Sequence, residues 1–590
     1  MTTSGDERDA AVCSTHVAGR IRFQQAGETA GPQSNRSCSR LLIPGERMEC
    51  LRFALLFNGN SLERWHLRCL DHLEESAKLT GVILAADSPS SPAKASGSAL
   101  MRLYAKSVGS NGRVDVTKRF ANMRFYGADG AESAEPRDLD FVLKLGPGSI
   151  PMGMGRATRY GVWCFQHETE GELLPFFREV YDAEDVTEAA LLARGGPGGD
   201  AAILEQGYFR TEKRSYVESR NRVLDSIAEW PAYVCRRLVR EGGDAALRTA
   251  GTLRSGRPDC HPQLLRFWAR IARRRLEFAS ERLFRHSQWN IGVLPVPVGA
   301  LLRPGDYSDG SIEWFPLDDR ERFLADPFGV VRDDTIHVLC ESFGYRCGKG
   351  HICTLDYSHH RFTRQPEPAI ELPVHMSYPF LVEDAGEIYC IPETCGADEV
   401  ALFRAVEFPR KWSKVAVLVE HFGGVDPTVF RHGGRWWLTC TERGRDADVK
   451  LWVWHASDLL GPWTPHARNP VKTDVRNARP GGVPFVHEGV LYRPTQDCSK
   501  RYGWRIVIQR VKTLTPSEFV EEPATVLEAS AGSPFPLGRH TLTHVGEVVL
   551  IDGHRAVFVW HALWSFLKMW ARDLWSKLRR RELQGVARSR

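Results

Sequence analysis

The sequence predicts a multidomain protein: an α/β domain of Rossmann type, then an all-β five-bladed propeller, with a helical linker between them and an amphipathic helix at the C-terminus. Three observations predict this. A strand–turn–strand unit recurs about five times between residues 324 and 553, as LADPFGVVRDDTIHVLCE, SYPFLVEDAGEIYCIPE, VDPTVFRHGGRWWLTCTE, ARPGGVPFVHEGVLYRPTQD and RHTLTHVGEVVLID. Its prolines Pro327, Pro379, Pro427 and Pro480 return every 48 to 53 residues, a period that fits one four-stranded propeller blade per copy. Upstream, buried-strand patterns alternate with helical ones, the signature of a parallel sheet covered on both faces.

Taken in order, residues 1–47 are rich in Gly, Ser, Arg and Gln, lack apolar periodicity, and are expected to be disordered, so that Met48 could open the folded protein. The α/β domain is expected over 48–222. It contains the strand LRFALLFNG, the helix SLERWHLRCLDHLEES, and the strands GVILAAD (81–87), DLDFVLKLG (138–146) and YGVWCFQH (160–167). Residues 223–286 carry Leu, Phe, Trp and Ile at three-to-four spacing with Arg opposite, which predicts a helical linker packing the domains together, with a basic membrane- or polyanion-facing helix as the alternative. The propeller is expected over 287–556, with QWNIGVLPVPVGAL (288–301) closing the ring against the last blade. In 557–590, Trp560, Trp564, Leu567, Ala571, Leu574 and Leu578 form one stripe beside basic residues, a pattern suited to a membrane surface or to docking on protein.

Composition narrows the function classes. With 42% hydrophobic and 26% charged residues, the chain is globular, and a net charge of +5 over 590 residues does not predict nucleic-acid binding. The fourteen cysteines show no CxxC or zinc-ligand spacing, so reduced thiols and no metal site are expected. Residues 1–20 lack a signal-peptide core and no apolar run approaches 18 residues, which places the protein in the cytoplasm, with the C-terminal helix free to touch the inner membrane face. The glycine-rich GPGSIPMGMG lacks the GK[ST] of a P-loop, and no GxSxG or HExxH occurs.

The repeat carries the chemistry. The first two strands of a blade are antiparallel, so the start of one and the end of the next share a face. That face should gather Asp326 and Glu341; His375, Tyr378 and Glu393; Asp426 and Glu442; Arg479, Gln496 and Asp497; and His540 and Asp552, with Trp436 and Tyr502 nearby. Acids, amides and aromatics in one funnel suit a polyhydroxylated ligand. Two carboxylates across a sugar can also hydrolyse it, with Asp326 as base, Asp426 tuning a neighbour, and Glu393 or Glu442 as acid. The competing reading is that these acids satisfy backbone amides at blade turns.

The ADPF and VDPTVF openings resemble those of five-bladed glycosidases and fructosidases. HMSYPFLVEDAGEIYCIPET, FPRKWSK, GPWTPHARNPV, ARPGG and RPTQDCSKRYG resemble more closely the propeller found N-terminally in plant glucosamine inositolphosphorylceramide glycosyltransferases and bacterial homologues. In the plant proteins glycosyl transfer is assigned to a separate C-terminal domain, which nothing here resembles. The likeness implies a glycan-related, transferase-like protein whose partner is a sugar, nucleotide sugar or glycolipid precursor. DLDFVLKLGPGSIPM and YGVWCFQH resemble the N-terminal domain of folate-dependent formyltransferases, which implies 10-formyltetrahydrofolate as cofactor and an amino sugar as substrate. The family's catalytic Asn falls on Cys164 and its His on Gln166, with His167 one residue late, and its later Asp falls near Pro197, with Asp200 three residues on. His167 is then the candidate base of a modified site; a non-catalytic scaffold is the other alternative.

Overall fold

The computed structural model describes residues 51–558 apart from 85–98, 111, 124, 128–137, 147, 152, 170–173, 196–200, 242–252, 254–262, 284 and 304. The N-terminal 1–47 segment, Pro197, Asp200 and the C-terminal amphipathic pattern therefore lie outside the described residues.

The N-terminal domain is built on a seven-stranded sheet. Its strands are β1 (Leu51–Phe57), β2 (Ala77–Leu84), β3 (Phe125–Gly127), β4 (Phe141–Lys144), β5 (Val162–Phe165), β6 (Val186–Arg194) and β7 (Ala202–Arg210), in the order β3-β2-β1-β4-β5-β6-β7. The first five are parallel, as the alternating pattern predicts, but β6 and β7 are antiparallel, so the sheet is mixed. The physical reason is legible afterwards: GGPGGD between two nine-residue apolar segments is a hairpin signal, and a tight turn can join only antiparallel strands.

Helices α1 (Arg64–Glu74), α2 (Ala99–Ser110), α3 (Gln166–Thr169), α4 (Phe177–Asp182), α5 (Tyr216–Ile227), α6 (Trp230–Glu241) and α7 (Leu264–Leu283) complete this half. Glu63 and His66 cap the start of α1 reciprocally, and the Ser215 hydroxyl accepts the Glu218 amide at the start of α5. Gln166 and His167, expected in a strand, instead form the helical turn after β5.

Five sheets follow, as the repeat predicts, each with a path of four strands, to which Glu367–Ile370 and Lys472–Thr473 add a fifth in the first and third. Their inner strands are Arg322–Arg332, Ser377–Asp384, Gly424–His432, Phe485–His487 and Leu542–Val545. In the fifth blade, Leu542–Val545 and Val548–Phe558 are completed by Arg285–Leu294 and Glu313–Trp314 from before the first blade. This pairing closes the ring and removes two free sheet edges.

The two halves share a core. Val449, Val475 and Cys498 of the propeller bury against the N-terminal cluster that includes Trp230, Leu224 and Phe209. Strand β7 bridges Asp474 through Tyr208, whose carbonyl accepts the Val475 amide at 2.9 Å. Lys450 is buried between Glu229 of the α5–α6 turn (2.8 Å) and Asp446 (2.9 Å). No helix among the described residues is long and apolar enough to cross a membrane.

Candidate functional site

Each of the first three blades opens with the same local device. The register jumps between Ala325 and Phe328, between Ser377 and Phe380, and between Val425 and Thr428. The bulged residues Asp326, Tyr378 and Asp426 take left-handed φ values of 53°, 46° and 51°, and each is followed by proline. Proline has no N–H to lose from the ladder, so it sits readily in a bulge, and the bulge re-aims the residue before it. That places one side chain per blade toward the axis.

There the side chains of different blades meet. Asp426 Oδ2 accepts from Arg479 Nε at 2.6 Å and from Gln496 Nε2 at 2.6 Å. Arg479 NH1 donates onward to Asp448 at 3.0 Å, and its guanidinium lies 4.8 Å from the centre of the Tyr502 ring. Asp326 accepts from the Thr541 hydroxyl at 2.6 Å and from the Tyr378 amide at 3.1 Å. Glu393 accepts the Asp426 amide at 3.1 Å. Asp552 accepts the amides of His540 (2.8 Å), Thr541 (3.1 Å) and Asp326 (3.3 Å), and holds His540 Nδ1 at 2.5 Å. Asp326, Glu393 and Asp552 are thus in part what the competing reading expected: carboxylates that tie one inner strand to the next.

Tyr378 is the floor of the site. It is fully buried, its hydroxyl accepts the Gly482 amide at 2.8 Å, and it lies 2.9 Å from the Thr428 hydroxyl. His540 stacks on Trp289 of the ring-closing strand, centroids 3.9 Å apart.

Burial tunes these groups. Burial raises Asp326 to about 6, with His540 opposing and Asp426 and Asp552 adding to the rise. Glu341 is pushed well above the usual carboxylate range by burial and by Asp326, Glu393 and Asp426. His540 rises despite burial because Asp552 and Asp326 face it. Burial drops His375 to about 4, so this imidazole is neutral; its Nδ1 accepts the Gly350 amide at 2.9 Å and its Nε2 faces Glu341 at 3.6 Å.

Two expected members are not part of the network, for one reason. In blades one and two the residue opposite the bulge is Glu341 or Glu393, but in blade three the same place is held by Thr441, opposite Val425. Glu442 is one residue further on, and a one-residue step along a strand turns the side chain to the other face; it is exposed. Likewise Gln496 points to Asp426 while Asp497 points away, to Arg505 (3.0 Å) and the Ser499 amide (2.9 Å). Trp436 sits at the opposite end of its strand, opposite Arg431, and packs in the core.

Sequence reasoning missed Thr541, Asp448, Tyr345 and Arg210. Arg210 of β7 lies 3.8 Å from Asp448, so the N-terminal sheet reaches the network's outer edge. Tyr345 closes a ring cluster with Phe323, Phe343 and His286 beside Glu341. Among the described residues, Glu341 Oε1, Gln496 Oε1 and the Tyr345 hydroxyl are buried without a hydrogen-bond partner. Asp326, His540 and Asp552 stand close enough together to hold a metal ion. Their ligand atoms are instead taken by each other, by Thr541 and by backbone amides.

A second polar cluster lies at the C-terminal ends of β4 and β5. Glu168 Oε1 accepts from His66 Nε2 at 2.7 Å and from the Gly146 amide at 2.8 Å, while Lys144 donates to the Gly146 carbonyl at 2.6 Å. Burial alone would raise Glu168, but His66, His167 and Lys144 hold it at about 2. His167 is buried among Trp65, Phe165 and Phe176, with its Nδ1 unpartnered and burial lowering it to about 4.

Residues 317–533 match a family described as glucosamine inositolphosphorylceramide transferase 1, N-terminal. The span includes Asp326 through Gln496 and ends before His540. Glucosamine inositolphosphorylceramide transferase 1 of Oryza sativa subsp. japonica is 33% identical over 248 residues, 40% of this chain and 33% of its own length. The Arabidopsis thaliana protein of the same name is 36% identical over 216 residues, 35% of this chain and 28% of its own. The chain thus spans about a third of the length of these relatives. Among solved structures, a family 117 glycoside hydrolase from Zobellia galactanivorans aligns at 14% identity and a TM-score of 0.30 over 46% of this chain and 91% of its own, too distant for any inference.

Proposed function

We propose that the propeller binds a sugar-bearing ligand, such as a glycan, an amino sugar or a glycolipid precursor, at the polar end of its axis, in a transferase-like setting. The observation that carries this reading is the pair of buried oxygens without a hydrogen bond, Gln496 Oε1 and Glu341 Oε1 (the latter 3.6 Å from His375), in a network whose other groups largely satisfy one another. A buried acceptor without a donor is costly, and a sugar hydroxyl is a donor of the right size to complete it. The ring cluster of Tyr345, Phe323 and Phe343 beside Glu341 offers an apolar wall for sugar C–H groups. The matched relatives, whose name joins glucosamine to a ceramide lipid, support the same ligand class.

Hydrolysis by Asp326 and Asp426 is the less favoured chemistry. Asp326 is occupied by Thr541 and Tyr378, and Asp426 is held in a buried ion pair with Arg479. Glu442 stands one register step away from the inward-facing position, beside Glu229 and Asp446, where partial desolvation and these acids raise it to about 7, and it does not join the network of Asp326 and Asp426.

For the N-terminal domain we favour a scaffolding role over N-formyl transfer. One feature agrees with formyl transfer, the unpartnered Nδ1 of His167. The residues otherwise do not fit 10-formyltetrahydrofolate chemistry. Cys164, at the family's Asn position, is a buried thiol raised to about 11 by burial, which cannot replace an amide donor, and Glu168 is committed to His66.

The test is a calorimetric screen of the full chain against monosaccharides, amino sugars and nucleotide sugars, repeated with Glu341→Gln. Binding weakened about tenfold or more by this variant, at unchanged thermal unfolding, supports the reading. A ligand bound equally by both proteins, or no ligand in the screen, counts against it.

A further inference from the structure

Helix α7 buries only a narrow stripe. Phe267 and Ile271 pack with Tyr216, Phe177 and Met101, while most of the helix surface faces outward. On its far side, Leu265, Ala269, Ala272 and Leu276 recur at intervals of four, three and four residues, which at 3.6 residues per turn forms a second apolar line along one face. Leu265 is 77% exposed, Leu276 71% and Trp268, beside them, 45%. A water-facing helix has no reason to repeat leucine at that spacing.

The line continues onto α2. Trp268 meets Tyr104 edge-on at 5.4 Å, and on the outer side of α2 Leu100 and Leu103 are 56% and 65% exposed. Of the sixteen large apolar residues exposed among the described residues, six lie on one helix pair, these five and Phe278. Clustering of that kind marks an interaction surface, whereas scattered apolar residues do not.

The charge around this surface is predominantly positive. Helix α7 carries Arg266, Arg270, Arg273, Arg274 and Arg275 against Glu277 and Glu281, and α2 carries Arg102 and Lys106 with no acid. Arg273 is paired with Glu277 at 2.7 Å, whereas Arg270 and Arg274 rest on the carbonyls of Tyr181 and Val180, and Arg275 on that of Arg214; a carbonyl orients these three guanidiniums without neutralising them. Exposed leucines and a tryptophan bordered by arginines are the composition of helices that lie in a membrane interface. Their apolar side chains enter the acyl boundary and their cations meet anionic headgroups. A protein partner would be expected to match the arginines one by one with acids; a lipid surface needs only net negative charge.

We propose that the α2–α7 face docks the protein on an anionic lipid surface, with Leu100, Leu103, Leu265, Trp268 and Leu276 inserted and the arginines at headgroup level. The inference is independent of the sugar reading, because it concerns a different face of a different domain.

The test is co-sedimentation of the full-length protein with vesicles of phosphatidylcholine alone or of phosphatidylcholine with phosphatidylglycerol. Comparison is with the double variant Leu265→Glu and Leu276→Glu; both sites are exposed, and circular dichroism should show an unchanged fold. The expected result is binding to the anionic vesicles only, weakened by added salt, and reduced at least about tenfold in the double variant. Arg266→Ser with Lys106→Ser should weaken binding while leaving the apolar line intact. Equal sedimentation of wild type and double variant, or no sedimentation of either, overturns the proposal. So does a dimer, seen by sedimentation velocity without vesicles, that the double variant abolishes, since the face would then be covered by a second copy.

Discussion

Arg479 of the fourth blade and Asp426 of the third form an ion pair at 2.6 Å with both side chains 3% exposed, and Asp448 holds the other side of the guanidinium at 3.0 Å. One cation therefore bridges two buried carboxylates, with Arg210 3.8 Å from the second. Breaking a buried pair from one side leaves an uncompensated charge, and Arg479→Met is expected to lower stability by about 3–5 kcal/mol. The check is the guanidinium denaturation midpoint; a loss below about 1 kcal/mol would show that the pair is solvated.

The elevated Asp326 predicts a pH dependence of definite sign. Its carboxyl rises from 3.8 to about 6 on folding, so between these values the folded state holds more protons than the unfolded one. Stability from this group is then complete below about pH 4 and is lost as pH rises through 6, a change of about 3 kcal/mol. Asp326→Asn should remove this slope. Urea midpoints for both proteins from pH 4 to pH 7 should diverge, and parallel curves would refute the assignment.

Glu168 has the opposite sign. Its carboxyl is held at about 2, below its ordinary 4.5, by His66, His167 and Lys144. Its contribution is present above about pH 4.5 and declines as pH falls toward 2. Glu168→Gln should cost about 2–3 kcal/mol at pH 7, and the gap to wild type should shrink below pH 4.5.

The domain joint is sensitive at Gly207. A Cβ there would stand 2.8 Å from Thr473 Cγ2 of the propeller and 2.9 Å from the buried Trp230 ring. Gly207→Val should cost about 1–3 kcal/mol. Hydrogen exchange should quicken at 472–476, where β7 meets the propeller, and unchanged exchange there would remove the joint from the account.

Thr441 and Glu442 provide a paired test of register. The Thr441 hydroxyl is buried without a partner among the described residues, so Thr441→Val should be neutral or stabilising. Glu442, raised to about 7 by partial desolvation and by Glu229, Asp446 and Asp398, is destabilised in its charged form, so Glu442→Gln should be neutral or stabilising above pH 7 and leave any ligand affinity unaltered. Loss of binding in Glu442→Gln would return that acid to the site.

Several features were legible before any coordinates. Prolines at a regular interval marked four of the five blades, and in the first three the residue before the proline marked the inner end of a strand, because bulges and turns are written locally. The ring-closing role of 288–301 was visible as an extra strand before the first copy. The hairpin pairing of β6 and β7 was written just as plainly in the glycines of GGPGGD between them.

By itself the sequence determined the repeat, its strand class and the chemical types that reach the axis, since period-two alternation and proline are properties of neighbouring residues. Only the tertiary structure decided which acids face inward and which donors they meet. Glu341 and Glu442 differ by a single register step. The partners of Asp326 and Asp426 come from blades whose residues lie 52, 53, 70 and 215 positions away. A lone pair filled across that distance leaves no trace in the residues next to it.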